Sequence, residues 1–245
     1  MIIGAQKGGT SALFEILKQH PHLAAASKKE IHFFDDDEWY EKGTIEEYDS
    51  HFPLPHEGPF KAKAFEATPI YIYHPLTAER LSRYNPKLKL IVSLREPAER
   101  AFSAWAMYHH HFSSGKYQYL HDPRPFDVAI EEELKTLQEK SFWDDKIAYV
   151  KRGIYHSQIE EYLKFFPREQ MLFIESEMIK GSFSQVSFDI QAFLGVPRYS
   201  LQLKKSNLRQ IDDGEIYNTT LEELKEFFPP YNEKLFELIG QKFEW

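Results

Sequence analysis

The sequence predicts an α/β fold built around a mostly parallel sheet, with a helical C-terminal part. Three observations carry this. Short apolar runs alternate with helical patterns along the chain, as strands joined by crossover helices do. A glycine-rich segment, Gly4-Ala5-Gln6-Lys7-Gly8-Gly9-Thr10-Ser11, sits where the first run passes into the first helical pattern. The run Leu88–Leu94 is the clearest strand, and Pro97 beyond it suits the first turn of a helix.

In chain order, Met1–Ala5 reads as a strand. Leu13, Ile16 and Leu17 share one face of a helix over Ser11–Gln19, which His20-Pro21 ends. Leu23–Ala26 and Lys61–Glu66 read as further strands. Pro97 opens a helix to about His111, and Gln170–Ile174 is the last strand. Ser113–Pro125 holds a glycine, two prolines and two tyrosines and reads as a surface loop. Ser141–Gly153 is a weaker case of the same kind, and loops this long are often functional. The C-terminal third is mostly helical, from Ser184–Leu194 to Pro230–Gly240. No repeat or low-complexity tract interrupts the 245 residues, which read as a single domain over 1–245.

Composition narrows the function classes. The 20 Phe and 14 Tyr predict an aromatic core. No run of 18 apolar residues is present to span a membrane, and no signal-peptide pattern opens the chain. The absence of cysteine removes disulfides, thiol nucleophiles and thiolate metal sites, and suits a reducing cytoplasm. A net charge of −8 disfavours nucleic acid or another polyanion as partner.

The glycine-rich segment suits an anion. Its glycines let the backbone approach closely, and unpaired amides at the helix start point at the ligand. The spacing from Gly4 to Gly9 equals that of a P-loop, but Thr10 stands where a P-loop has lysine, and Lys7 comes three residues earlier. P-loop hydrolases and kinases also carry an aspartate on a later strand to hold Mg²⁺. Here that strand ends Ile91-Val92-Ser93-Leu94-Arg95, so the site is expected to take an anionic group without a metal. A glycine-rich turn with no ligand is the alternative. Arg95 and Ser103 together make a phosphate clamp, or Arg95 simply pairs with Glu96 or Glu99. His109-His110-His111 point in different directions on a helix and form no natural chelate.

Taken together, the motifs resemble those of PAPS-dependent sulfotransferases, enzymes that use 3'-phosphoadenosine 5'-phosphosulfate. Gly4–Ser11 is similar to their 5'-phosphosulfate loop, and Leu94-Arg95-Glu96-Pro97-Ala98-Glu99-Arg100-Ala101-Phe102-Ser103 to their 3'-phosphate motif. Between these lie Lys29-Glu30-Ile31-His32-Phe33-Phe34-Asp35 and Glu66-Ala67-Thr68-Pro69. Arg152-Gly153-Ile154-Tyr155, Phe166-Pro167-Arg168-Glu169-Gln170, Asn232-Glu233-Lys234-Leu235-Phe236 and Trp245 follow. The wording is closest to the heparan sulfate 3-O- and N-sulfotransferase branch, in its bacterial-type form, and the resemblance runs through nearly the whole chain.

The resemblance implies a P-loop-like parallel sheet flanked by helices, with PAPS as sulfuryl donor and no metal. It implies that Lys7, Gly8, Gly9, Thr10 and Ser11 hold the phosphosulfate, Lys7 also serving as the cation at the leaving group. Arg95 and Ser103 are implied at the 3'-phosphate, with Lys205 and Arg209 from a basic loop. Glu30 is implied as the base, His32 is its rival, and Asp35 and Phe33 belong to the acceptor side; without the resemblance, Lys29-Glu30 reads as an exposed pair and Phe33-Phe34 as core. The family's Glu-Lys-Thr-Pro motif has a lysine where this chain has Ala67, so Lys61 or Lys63 is the candidate substitute. The expected acceptor is a sugar hydroxyl, a small alcohol or an amine, not nucleic acid. A P-loop-type nucleotide kinase and a non-catalytic nucleotide-binding module are the alternatives.

Overall fold

The apolar runs become five short parallel strands in the computed structural model, which describes residues 1–53, 62–115, 120–137, 147–203 and 217–245. The first elements are β1 (Ile2–Gly4), α1 (Thr10–Leu17), β2 (Leu23–Ala25), α2 (Asp37–Lys42), α3 (Ile45–Asp49) and β3 (Lys63–Phe65). Then come α4 (Thr77–Tyr84), β4 (Leu90–Leu94), α5 (Pro97–Ser113), α6 (Phe126–Thr136) and α7 (Tyr155–Leu163). The chain closes with β5 (Met171–Glu175), α8 (Met178–Gly181), α9 (Phe183–Leu194), α10 (Asn218–Phe227) and α11 (Pro229–Ile239). The residues cluster into two compact units, Met1–Leu94 with Glu161–Asn207, and Arg95–Glu160 with Leu208–Trp245.

The first unit holds the strands. β4 lies between β1 and β5, in register from Leu90 opposite Met171 to Leu94 opposite Glu175. β2 pairs with β3, and one bridge between Ile2 and Ala67 sets the residues after β3 beside β1. The order is thus β2-β3-β1-β4-β5. All strands run the same way, so their carboxyl ends share one edge, where open α/β sheets bind ligands. Every residue of β4 is buried, as expected of a parallel strand covered on both faces.

Helix α1 turns Leu13, Phe14, Ile16 and Leu17 onto the sheet against Ile2, Phe65, Ile91 and Ile174. A second nucleus is aromatic. Phe33 and Phe34 are 1 % and 0 % exposed and pack against Tyr40 and Tyr48. Burying each ring is worth about 1.5–3 kcal/mol. The short helices α2 and α3 frame this nucleus. The sequence reading did not anticipate them, although Thr44 and Glu47 form a reciprocal capping box that marks the start of α3.

In the second unit α5 begins at Pro97, as expected. Glu96 caps it by accepting from the Ala98 and Glu99 amides at 2.9 and 2.7 Å. The end of the expected loop over 141–153 is ordered by a carboxylate. Glu133 on α6 accepts from the Tyr149, Val150 and Lys151 amides at 2.6, 2.9 and 2.8 Å. Arg100, fully buried, donates to the Tyr149 carbonyl. Phe102, Trp105, Phe126, Leu224 and Phe228 build the core here.

Two glycines give a paired test of the packing. A methyl group on Gly8 meets the Ser93 carbonyl oxygen at 2.2 Å, whereas one on Gly181 meets nothing within 4 Å. Gly8→Ala is expected to cost about 1–3 kcal/mol in denaturant unfolding. Gly181→Ala is expected to leave stability level or raise it by under about 1 kcal/mol.

Candidate active site

The loop after β1 is clamped to β4 by its backbone. Ala5 N donates to Ser93 O at 2.8 Å, Gly8 N to Ala5 O at 2.9 Å, and Ser93 Oγ to Gly8 O at 2.5 Å. Gly9, at φ 82°, turns the chain into α1. No side chain caps that helix, and its first turn carries no acid. The first-turn amides and the positive end of the dipole are therefore available to an anion. Thr10 is buried, Ser11 exposed and Lys7 half-buried beside this opening.

The segment after β2 crosses the same edge of the sheet. Glu30 N donates to Ala67 O at 3.0 Å and Ile31 N to Thr68 Oγ1 at 3.1 Å. At its far end Phe34 O accepts from Thr77 Oγ1 at 3.2 Å and from Arg80 Nη1 at 2.9 Å. These anchors hold an unusual backbone. Among the described residues three non-glycines have a left-handed φ: Lys7 at 71°, Glu30 at 61° and His32 at 66°. They are the three residues that the sequence nominated for chemistry. Such strain persists only where surrounding contacts impose it, and it clusters at functional sites.

Their side chains form a charged row. His32 Nδ1 lies 2.9 Å from Asp35 Oδ2, and its Nε2 lies 3.8 Å from Glu30 Oε2. Lys29 Nζ pairs with Glu30 Oε1. The hydrogen bond to Asp35, together with Glu30, outweighs burial and raises His32 to about 9. Burial works against the Glu30 charge, but His32 and Lys29 overcome it and hold the carboxyl at about 2. Near neutral pH Glu30 is therefore a carboxylate and His32 an imidazolium, set between Glu30 and Asp35. Glu30 keeps carboxylate lone pairs beside its two cationic partners, whereas His32 has no lone pair to offer. Asp35 Oδ1 is buried without a partner.

Other nominated residues are placed differently. Phe33, implied on the acceptor side but read on its own as core, is 1 % exposed and belongs to the aromatic nucleus. Lys63, the candidate substitute cation, lies at the amino end of β3, and its Nζ caps α9 at Leu194 O. The strand places it at the end opposite Glu30, because β3 runs away from Lys63 toward the ligand edge. Lys61, Lys205 and Arg209 lie outside the described residues. In the second unit Arg95 Nη2 pairs with Glu99 Oε2 at 3.2 Å, the alternative pairing that the sequence offered. Tyr155 donates to the Arg95 carbonyl at 2.9 Å, and Ser103 is half-buried on α5. Sequence reading gave no role to Thr68, Glu66 or Arg80, whose side chains hold the Glu30 segment. The Glu66-x-Thr68 pair was the one available signal for the first two. Among the described residues no three His, Asp or Glu side chains converge to hold a metal.

Comparison with known proteins gives a consistent picture. The family described as "Sulfotransferase domain" matches residues 1–234. Heparan sulfate glucosamine 3-O-sulfotransferase 5 of Mus musculus is 28% identical over 268 residues, covering all of this chain and 73% of that protein. Heparan sulfate glucosamine 3-O-sulfotransferase 3A1 of Mus musculus is 30% identical over 270 residues, with 100% and 63% covered. Among solved structures, a sulfotransferase from Alicyclobacillus acidocaldarius superposes with a TM-score of 0.73 at 28% identity, over 99% of this chain and 95% of that one.

The charged row makes a pH dependence. Glu30 is depressed, so its contribution to stability is full above about 4.5 and is lost as pH falls toward 2. His32 is raised, so its contribution is full below about 6.5 and is lost as pH rises through 9. Thermal midpoints should therefore peak at pH values between about 4.5 and 6.5. In an NMR titration of the wild-type protein, His32 should titrate near 9. Asp35→Asn should lower that midpoint. A His32 midpoint near 6.5 in the wild-type protein would show that the row does not form.

Proposed function

The chain belongs to the sulfotransferase domain family and is a sulfuryl-transferring enzyme, and from that premise we propose how it works. Enzymes of this family use PAPS. The residues that would hold the donor are Lys7, Gly8, Gly9, Thr10 and Ser11 at the phosphosulfate and Arg95 and Ser103 at the 3'-phosphate, with Lys205 and Arg209 as further contacts. The uncapped, acid-free start of α1 beside Lys7 supports that fit. Bound there, the donor supplies the sulfuryl group and leaves as adenosine 3',5'-bisphosphate. Lys7 neutralises charge developing on the departing phosphate oxygen. Glu30 accepts the proton of the acceptor hydroxyl as its oxygen bonds to sulfur.

The observation that supports Glu30 over His32 is the charged row, in which both His32 ring nitrogens face carboxylates while Glu30 keeps carboxylate lone pairs. A carboxylate held near 2 is a weak base in the free protein. An acceptor that displaces water from beside it raises its basicity. His32 and Asp35 then act as the positioning pair. We propose further that residues 1–245 act as one sulfotransferase domain, since the family match runs through both compact units. A cytoplasmic site of action, which suits the cysteine-free sequence, completes the reading. The kinase and binding-module alternatives draw no support from these relatives.

The acceptor is a carbohydrate or small alcohol that presents its hydroxyl to Glu30. Asp36, Asp37 and Glu38 are exposed immediately beyond Asp35, although Asp37 pairs with Arg80 and Glu38 with Lys42; the sequence carries a net charge of −8, and Ala67 stands where the resemblance leads one to expect lysine. A neutral sugar is therefore favoured over a polysulfated one, because like charge repels the latter.

Three measurements test this reading. Glu30→Gln should lower kcat about 10²–10⁴-fold while calorimetric binding of adenosine 3',5'-bisphosphate stays within a few-fold; wild-type turnover removes Glu30 as the base. Arg95→Ala should weaken the bisphosphate by about 1.5–3 kcal/mol and leave ADP, which lacks the 3'-phosphate, almost untouched. On an acceptor panel, uncharged glycans should be turned over faster than sulfated ones, and the reverse order excludes the neutral-acceptor reading.

A further inference from the structure

A buried carboxylate with no part in the chemistry above lies just after β3. Glu66 is 1 % exposed. Its Oε1 accepts from the Tyr48 hydroxyl at 2.7 Å and its Oε2 from Thr68 Oγ1 at 2.6 Å. Burial pushes its carboxyl up, while those two donors work to hold it ionised. Burying an acid costs stability unless it is fully hydrogen-bonded, so its presence calls for a reason.

The direction of the hydrogen bonds supplies one. Thr68, itself 0 % exposed, has one hydroxyl proton. Glu66 takes it, which leaves the oxygen lone pairs facing the Ile31 amide at 3.1 Å. Ile31 is the residue between Glu30 and His32, and its neighbours on both sides carry the left-handed φ values. Without the carboxylate the hydroxyl is free to rotate, and its proton then competes with the Ile31 N–H. The main-chain bond from Glu30 N to Ala67 O is the adjacent rung. The chain Tyr48–Glu66–Thr68–Ile31 thus runs from the aromatic nucleus to the strained turn.

We propose that Glu66 and Thr68 are positioning residues for the transfer step: the carboxylate orients the Thr68 hydroxyl, which grips Ile31 N–H and keeps Glu30 and His32 in the left-handed conformation that aims their side chains. This rests on the reading of Glu30 as base, but its structural core does not need that reading. Small misplacements of reacting groups are known to cost about 10²-fold in rate.

The test uses Thr68→Val, which keeps the shape and deletes the acceptor, and Thr68→Ser, which keeps the hydroxyl. Thr68→Val is expected to lower kcat at least about 10²-fold with calorimetric affinity for adenosine 3',5'-bisphosphate unchanged, and Thr68→Ser to restore most of the rate. The reading that does not depend on activity is the NMR titration of His32. In Thr68→Val its midpoint should fall from about 9 toward 6.5 as the row comes apart. A purely structural role would lower the melting temperature and leave His32 titrating as in the wild type. An unshifted His32 in folded Thr68→Val therefore overturns the proposal. Should Thr68→Val fail to fold, Glu66→Gln is read in the same way. If His32 shifts but Glu30→Gln retains full turnover, the positioning role stands and the choice of base is what fails.

Discussion

Two backbone hydrogen bonds at Ile2 organise the edge that carries the candidate site. Ile2 N donates to Glu66 O at 2.9 Å, and Thr68 N donates to Ile2 O at 3.1 Å. On one side of this rung β1 continues into the Lys7 loop. On the other, Ala67 and Thr68 offer the carbonyl and hydroxyl that hold Glu30 and Ile31. The anion loop and the candidate base come from segments separated by β2, yet both hang from one strand. Loops on a parallel sheet share an edge because every strand ends there. The precision of this site comes from backbone pairing rather than from the flexible side chains themselves.

Charge is arranged on that frame with little freedom. His32 between Glu30 and Asp35 is held as an imidazolium, and Lys29 adds a second cation at Glu30. Each partner is favoured by the others, and the turn that carries them is unfavourable by itself. The strain of left-handed Glu30 and His32, of order 1–3 kcal/mol each, is offset by contacts that reach back into the aromatic nucleus. Arg80 shows the same economy. It is 6 % exposed, donates to Phe34 O, pairs with Asp37 and lies 4.5 Å from the Tyr40 ring centre. One buried cation thereby closes the far end of the segment.

The second unit uses carboxylates for a different purpose. Glu96 satisfies the open start of α5, and Glu133 gathers three consecutive amides ahead of Gly153. At Gly153 an added methyl meets the Phe228 ring at 2.8 Å, so the chain passes close to the core only because no side chain is present. These contacts hold the start of α5, with Arg95 immediately before it, against the Tyr155 hydroxyl.

Much of this was legible in the residues. The five strands, the anion loop and the helix opened by Pro97 follow from runs of apolar side chains, glycines and a proline, features set by local chemistry. The candidacy of Glu30, His32 and Lys7 followed from resemblance across ordered motifs. The placement of Lys63 was not legible. Lys63 looked like an active-site substitute, and strand direction made it a helix cap at the opposite end. Phe33 was implied as an acceptor contact by the resemblance, whereas the residues alone read Phe33-Phe34 as core, and the structure buries both rings. The proposal of Glu30 over His32 likewise drew on distances, because proton affinity depends on which carboxylates stand beside the ring. Local sequence determined which groups are present and the order of the elements that carry them. Only the tertiary structure decided which groups meet, since parallel strands bring together residues that the chain keeps tens of positions apart.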